Sequence, residues 1–89
     1  MLESEILIIN KLGLHARAAA KLVATTGAFS ARITITVNGK SIDGKSIMAV
    51  MMLAASKGTR IHVRCEGSDE QAALNTIRDI IAQRFGEEE

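Results

Sequence analysis

The chain has 89 residues, 47% of them hydrophobic, and a formal net charge of +1. That suits one small domain, residues 1–89, with a single modest core burying somewhat over ~60% of its unfolded surface. It holds no Trp or Tyr and two Phe, and its Lys and Arg are scattered, which argues against nucleic-acid binding by base stacking or by a basic footprint. The acidic start Met1-Leu2-Glu3-Ser4-Glu5 is unlike a signal peptide, and no apolar run approaches membrane-spanning length. Cys65 is alone, so no internal disulfide can form, and a soluble cytoplasmic monomer is expected.

Glu5-Ile6-Leu7-Ile8-Ile9-Asn10 reads as a first strand. Its apolar residues do not alternate cleanly, which predicts a central strand or one covered on both faces. Ala16 to about Thr26 reads as a helix with Ala19, Leu22, Val23 and Thr26 inward and Gly27 as a left-handed cap. Arg32–Val37 alternates without a break, placing Ile33, Ile35 and Val37 inside. Asn38-Gly39 is a strong hairpin signal, since both residues tolerate positive φ, and Lys40–Asp43 is the return strand.

Ile47 to about Ser56 reads as a short helix with Ser46 as N-cap, Val50, Leu53 and Ala54 inward, and Gly58 just past its end. Arg60–Glu66 alternates again, with Ile61, Val63 and Cys65 on the inner face. Ser68-Asp69-Glu70-Gln71 has the form of a capping box. The helix that follows is expected to reach about Arg84 and to pack through Ala73, Leu74, Ile77, Ile80 and Ile81, with Gly86 and the glutamates beyond it frayed. The order β-α-β-β-α-β-α predicts an α+β fold, a two-layer open-faced sandwich of antiparallel sheet and helices.

Gly13-Leu14-His15-Ala16-Arg17 is the stretch that carries chemistry. A helix starting at Ala16 leaves its first N–H groups without intrahelical partners, next to His15. Those donors and the positive end of the helix dipole make an anion site, to which Arg17 adds a charged fork. A neutral imidazole there has one ring nitrogen free to attack phosphorus, and the N–H groups of Ala16 and Arg17 are placed to hold phosphoryl oxygens. Taken alone, a histidine before a helix more often only caps it. His62 alternates outward on its strand, and Cys65 points to the other side, so no metal site is expected.

Asn10-Lys11-Leu12-Gly13-Leu14-His15-Ala16-Arg17, with Gly44-Lys45-Ser46-Ile47-Met48 downstream, resembles the HPr family of histidine phosphocarriers. The likeness spans the whole chain in length and element order. It implies a four-stranded sheet in the order 1-4-2-3 with three helices on one face. It further implies that His15 accepts a phosphoryl group on Nδ1 from phospho-enzyme I, itself charged by phosphoenolpyruvate, that Arg17 assists, and that an enzyme IIA protein is the acceptor. No cofactor is implied, and the chain would be a carrier rather than an independent enzyme. The family usually has Pro where this chain has Ala18.

By the same resemblance Ser46 matches the serine that a dedicated HPr kinase phosphorylates in some bacteria, although an N-cap role alone accounts for it. Ile47, Met48, Met51 and Met52 exceed what one inward stripe needs, and with Ala20 and Ala24 they suggest a docking patch for partners. A regulatory protein-binding module of the same fold, in nitrogen-branch or carbon-regulation signalling, remains the alternative to a role in sugar transport.

Overall fold

The computed structural model describes residues Met1–Glu89. Strands β1 (Leu2–Leu7), β2 (Arg32–Val37), β3 (Lys40–Asp43) and β4 (Arg60–Glu66) form one sheet in the order β1-β4-β2-β3. Every pairing is antiparallel. Helices α1 (Ala16–Thr26), α2 (Ile47–Met52) and α3 (Glu70–Ala82) cover one face. Between the layers lies one apolar cluster. It takes Ile33, Ile35 and Val37 from β2, Ile61, Val63 and Cys65 from β4, Leu22 from α1, and Leu74, Ile77 and Ile81 from α3. The sandwich, the strand order and both inward strand faces agree with expectation.

The hairpin is built as its sequence demands, with Asn38 at φ 51° and Gly39 at φ 81°. On the open face His62 bonds Glu3 across the β1–β4 pair at 2.7 Å. Burial pushes the Cys65 thiol up, with Glu70 and Asp69 adding to the effect. No helix is long and apolar enough to cross a membrane.

Several local expectations need correction. The first strand is Leu2–Leu7 rather than 5–10, and it is an edge strand with one half-covered face. Glu3 and Glu5 sit opposite Arg64 and His62 of β4, so polar residues hold this register while Ile8 turns into the core. In α1 Ala18 is buried and Val23 only half-buried, and Gly27 stays right-handed at φ −66°. The chain there turns on Thr26 instead, whose hydroxyl donates to the Gly44 carbonyl at 2.7 Å.

Helix α2 ends at Met52, and Ala54 is exposed at φ 52° rather than buried. The chain leaves the helix through Ala54 in the left-handed region, and the Ala55 carbonyl beyond it accepts the Leu14 N–H at 2.8 Å. The capping box at α3 is not formed. Asp69 occupies the N-cap without capping, and its carboxylate instead accepts the N–H groups of Ser30 at 2.8 Å and Ala31 at 2.9 Å. Helix α3 stops at Ala82, and the residues after it are not frayed. Arg84 and Phe85 take positive φ in a 3-10 turn that buries the Phe85 ring against the core.

The Ser30 N–H, and then the Ala31 N–H against opposing desolvation, hold the Asp69 carboxyl below its ordinary value. A carboxyl depressed on folding adds stability above its unfolded pKa of about 3.9, and that stability is lost as pH falls through the lower folded value. Asp69→Asn is therefore expected to melt below wild type at neutral pH. The gap between the two melting temperatures should narrow as pH falls below the unfolded pKa and close below the lower folded one; a constant gap would show that the contact is not electrostatic.

Candidate functional site

The site is assembled where the segment after β1 meets the start of α1. Asn10 is fully buried, and its side-chain amide donates to the Gly13 carbonyl at 2.8 Å. That bond closes the Asn10–Gly13 turn, in which Gly13 sits at φ 66°. A side chain at Gly13 would come within 2.4 Å of the Ala55 oxygen and 2.8 Å of the Ser56 backbone. The glycine thus lets this turn lie directly on the α2–β4 connection, and the Leu14–Ala55 bond fixes it there.

His15 follows as the N-cap of α1, with extended backbone, and its Nδ1 accepts the Arg17 N–H at 3.3 Å. The imidazole is 27% exposed. Capping and an available nitrogen therefore coexist, because the cap bond is long and weak. Neither the Ala16 N–H nor the Arg17 guanidinium is engaged by any other group of the chain, and both residues are exposed. Ala18 is the third helical residue, and its N–H donates to no protein acceptor, so a proline here would forfeit no hydrogen bond.

Sequence reasoning missed the other side of the ring. Glu87, from the tail expected to fray, bonds His15 Nε2 through Oε2. Its Oε1 accepts from the Asn10 amide at 3.1 Å. The His15 hydrogen bond, opposed by desolvation and helped by Asn10 and by the charges of His15 and Lys21, holds the Glu87 carboxyl below the usual carboxylate range. The tail is tied down at further points. Lys21 Nζ donates to the Phe85 carbonyl at 2.6 Å, and the Lys11 N–H to the Glu89 carbonyl at 2.7 Å. Lys11, Leu12, Arg17, Glu87, Glu88 and Glu89 line a shallow depression beside the imidazole.

Ser46 caps α2, its Oγ accepting the Ala49 N–H at 3.2 Å. Lys45 is drawn back to the Phe29 carbonyl at 2.6 Å and so does not extend into solvent. The expected docking residues lie on the surface, on two helices that pack together: Ala20 and Ala24 on α1, Ile47, Met48 and Met51 on α2. Met48 is 70% exposed and Met52 66%. Leu12, in the turn before His15, is a comparably exposed apolar residue that its sequence pattern does not single out.

Comparison with known proteins gives one answer throughout. The family model described as PTS HPr component phosphorylation site matches residues 2–83. The phosphocarrier protein HPr of Pseudomonas aeruginosa is 56% identical over 86 residues, covering 96% of each chain. That of Xylella fastidiosa (strain 9a5c) is 49% identical over 88 residues, covering 99% of each. Among solved structures, HPr-C-His from Thermoanaerobacter tengcongensis superposes with a TM-score of 0.97 at 43% identity over the full length of both chains. Fold and relatives alike define a phosphocarrier of the phosphotransferase system. The chain belongs to the HPr family.

Proposed function

We propose that residues 1–89 act as a single carrier domain in which Nδ1 of His15 takes a phosphoryl group from phospho-enzyme I and passes it to an enzyme IIA protein in the cytoplasm. The observation that carries this reading is the geometry at the start of α1. A partly exposed imidazole points Nδ1 at the helix N-terminus, and an unpaired arginine stands two residues on. In the transfer the Nδ1 lone pair forms the new N–P bond while the bond from phosphorus to the donor breaks, its electron pair returning to the donor. The Arg17 N–H exchanges its 3.3 Å bond to Nδ1 for a phosphoryl oxygen. The Ala16 N–H and the Arg17 guanidinium stabilise charge on the remaining oxygens. The reverse displacement discharges the group, so the chain carries and does not turn over substrate alone.

The test is enzyme I-dependent phosphorylation from phosphoenolpyruvate, followed by intact mass. Wild type should gain one acid-labile phosphoryl group and His15→Ala none; an equal gain in His15→Ala would remove the assignment.

The exposed apolar side chains of α2 are the proposed docking surface for both partners. Met48→Glu should leave the melting temperature nearly unchanged, because its side chain is outside the core, and should weaken phosphoryl acceptance mainly through KM. Transfer kinetics identical to wild type would rule the patch out. Ser46 is proposed as a regulatory phosphorylation site for an HPr kinase. Its N-cap position lets the helix dipole accept a phosphate without unfolding α2, so the mark would act by placing negative charge on the docking face.

A further inference from the structure

We propose that Glu87, held by Asn10, is a positioning residue for the His15 reaction: its carboxylate binds the Nε2 edge of the imidazole and leaves Nδ1 as the nitrogen that bears the lone pair. The inference rests on His15 being the phosphoryl acceptor.

Both edges of the ring point to the same protonation pattern. Nδ1 receives a backbone N–H and must be an acceptor. In the neutral imidazole the ring proton is then on Nε2, which lies against a carboxylate oxygen. The carboxylate is itself fixed. Its second oxygen takes one N–H of Asn10, whose other N–H is committed to the Gly13 carbonyl. Asn10 is completely buried, so these two bonds fix its amide away from solvent. From the chain side, Glu87 follows the buried Phe85, its own N–H donates to the Arg84 carbonyl at 2.9 Å, and Lys11 holds Glu89 through the backbone and an ion pair at 3.3 Å. A series of hydrogen bonds thus runs from the Gly13 carbonyl through Asn10 and Glu87 to the reacting ring.

The chemistry gives this arrangement a use. When the Nδ1 lone pair bonds to phosphorus, no proton leaves the ring: the Nε2 proton stays, and the imidazole becomes cationic. A carboxylate on Nε2 stabilises that charge as it develops, as carboxylates do for imidazoles that act as bases or ligands. On discharge the ring returns to neutral with the same proton in place. Glu87 never touches the phosphoryl group and acts through the ring alone.

The experiment uses the full chain with a ¹⁵N-labelled His15 ring, in wild type, Glu87→Ala and Glu87→Gln. Long-range ¹H–¹⁵N spectra report which ring nitrogen bears the proton, and initial rates with phospho-enzyme I report acceptance. Wild type should show protonated Nε2 with a slowly exchanging proton. Glu87→Ala should lose that proton signal, show a mixture of tautomers and accept phosphoryl groups about tenfold more slowly. Glu87→Gln keeps an acceptor oxygen but no charge, so it should restore the tautomer and only part of the rate. An unchanged ring spectrum in Glu87→Ala would overturn the proposal. So would a faster rate, which would make the tail a cover over the site. If wild type takes no phosphoryl group from an active enzyme I, the carrier assignment fails by itself, and the ring spectrum still decides whether Glu87 sets the tautomer.

Discussion

Gly13→Ala should be among the most damaging single substitutions in this protein. Gly13 stands at φ 66°, where an alanine pays about 1–2 kcal/mol for its Cβ alone. The new methyl would also lie 2.4 Å from the Ala55 oxygen and 2.8 Å from the Ser56 Cα, both backbone atoms that cannot rotate away. Relief requires separating the His15 turn from the α2–β4 connection, which breaks the Leu14–Ala55 hydrogen bond. The combined loss is expected to be about 3 kcal/mol or more, a fall in melting temperature of roughly 12–24 °C for a domain of this size. Phosphoryl acceptance should also fall at temperatures where the variant is still folded, because the N-cap geometry of His15 depends on that turn. Gly39→Ala is the control. Its φ of 81° is as demanding, yet nothing lies within 4 Å of the added carbon. A loss confined to about 1 kcal/mol there, against the larger loss at Gly13, would isolate the close approach as the cause.

Phe85→Ala should match it in stability and differ in consequence. Phe85 is 1% exposed and is the largest fully buried side chain in the core, so its truncation is expected to cost about 3–5 kcal/mol. Its ring is also what pins the turn after α3. Without it the Lys21–Phe85 bond and the Glu87–His15 contact lose their anchor. Denaturant unfolding should show a lower midpoint with an unchanged slope. Removal of residues 87–89 leaves Phe85 in place and should change stability little. A truncated chain as unstable as Phe85→Ala would mean that the tail contacts, and not the buried ring, hold this end of the fold.

How legible these features were in the sequence follows from the range of the interactions behind them. β2, the Asn38-Gly39 turn, β3, β4 and the inward stripe of α3 depend on spacing within one element, and each was found where expected. The start of α1 at His15 was equally local. The strand order needed the family resemblance, because nothing in the periodicity of Leu2–Leu7 distinguishes an edge from a centre.

The errors arise where a distant partner overrides a local preference. Ala54-Ala55 favours helix, but Ala54 turns to positive φ where the connection docks on Leu14 through the Ala55 carbonyl. Ser68 and Gln71 suit a capping box, but Asp69 is claimed by Ser30 and Ala31. Glu87 was invisible for the same reason: its contact with His15 spans 72 positions, and a run of glutamates at a chain end resembles solvated tail. Asn10 carried a faint signal, a polar residue closing an apolar run just before a glycine turn. Its burial gives the signal meaning only after the turn is seen.

The central claim is that Nδ1 of His15 is the atom that bonds phosphorus. The direct measurement is a ³¹P–¹⁵N coupled spectrum of the full chain, labelled at its histidine rings and phosphorylated with enzyme I, phosphoenolpyruvate and magnesium. One phosphorus signal coupled to Nδ1 of His15, with the Nε2 proton retained, is the predicted result. Phosphorus coupled to Nε2, or bound to any residue other than His15, would contradict it.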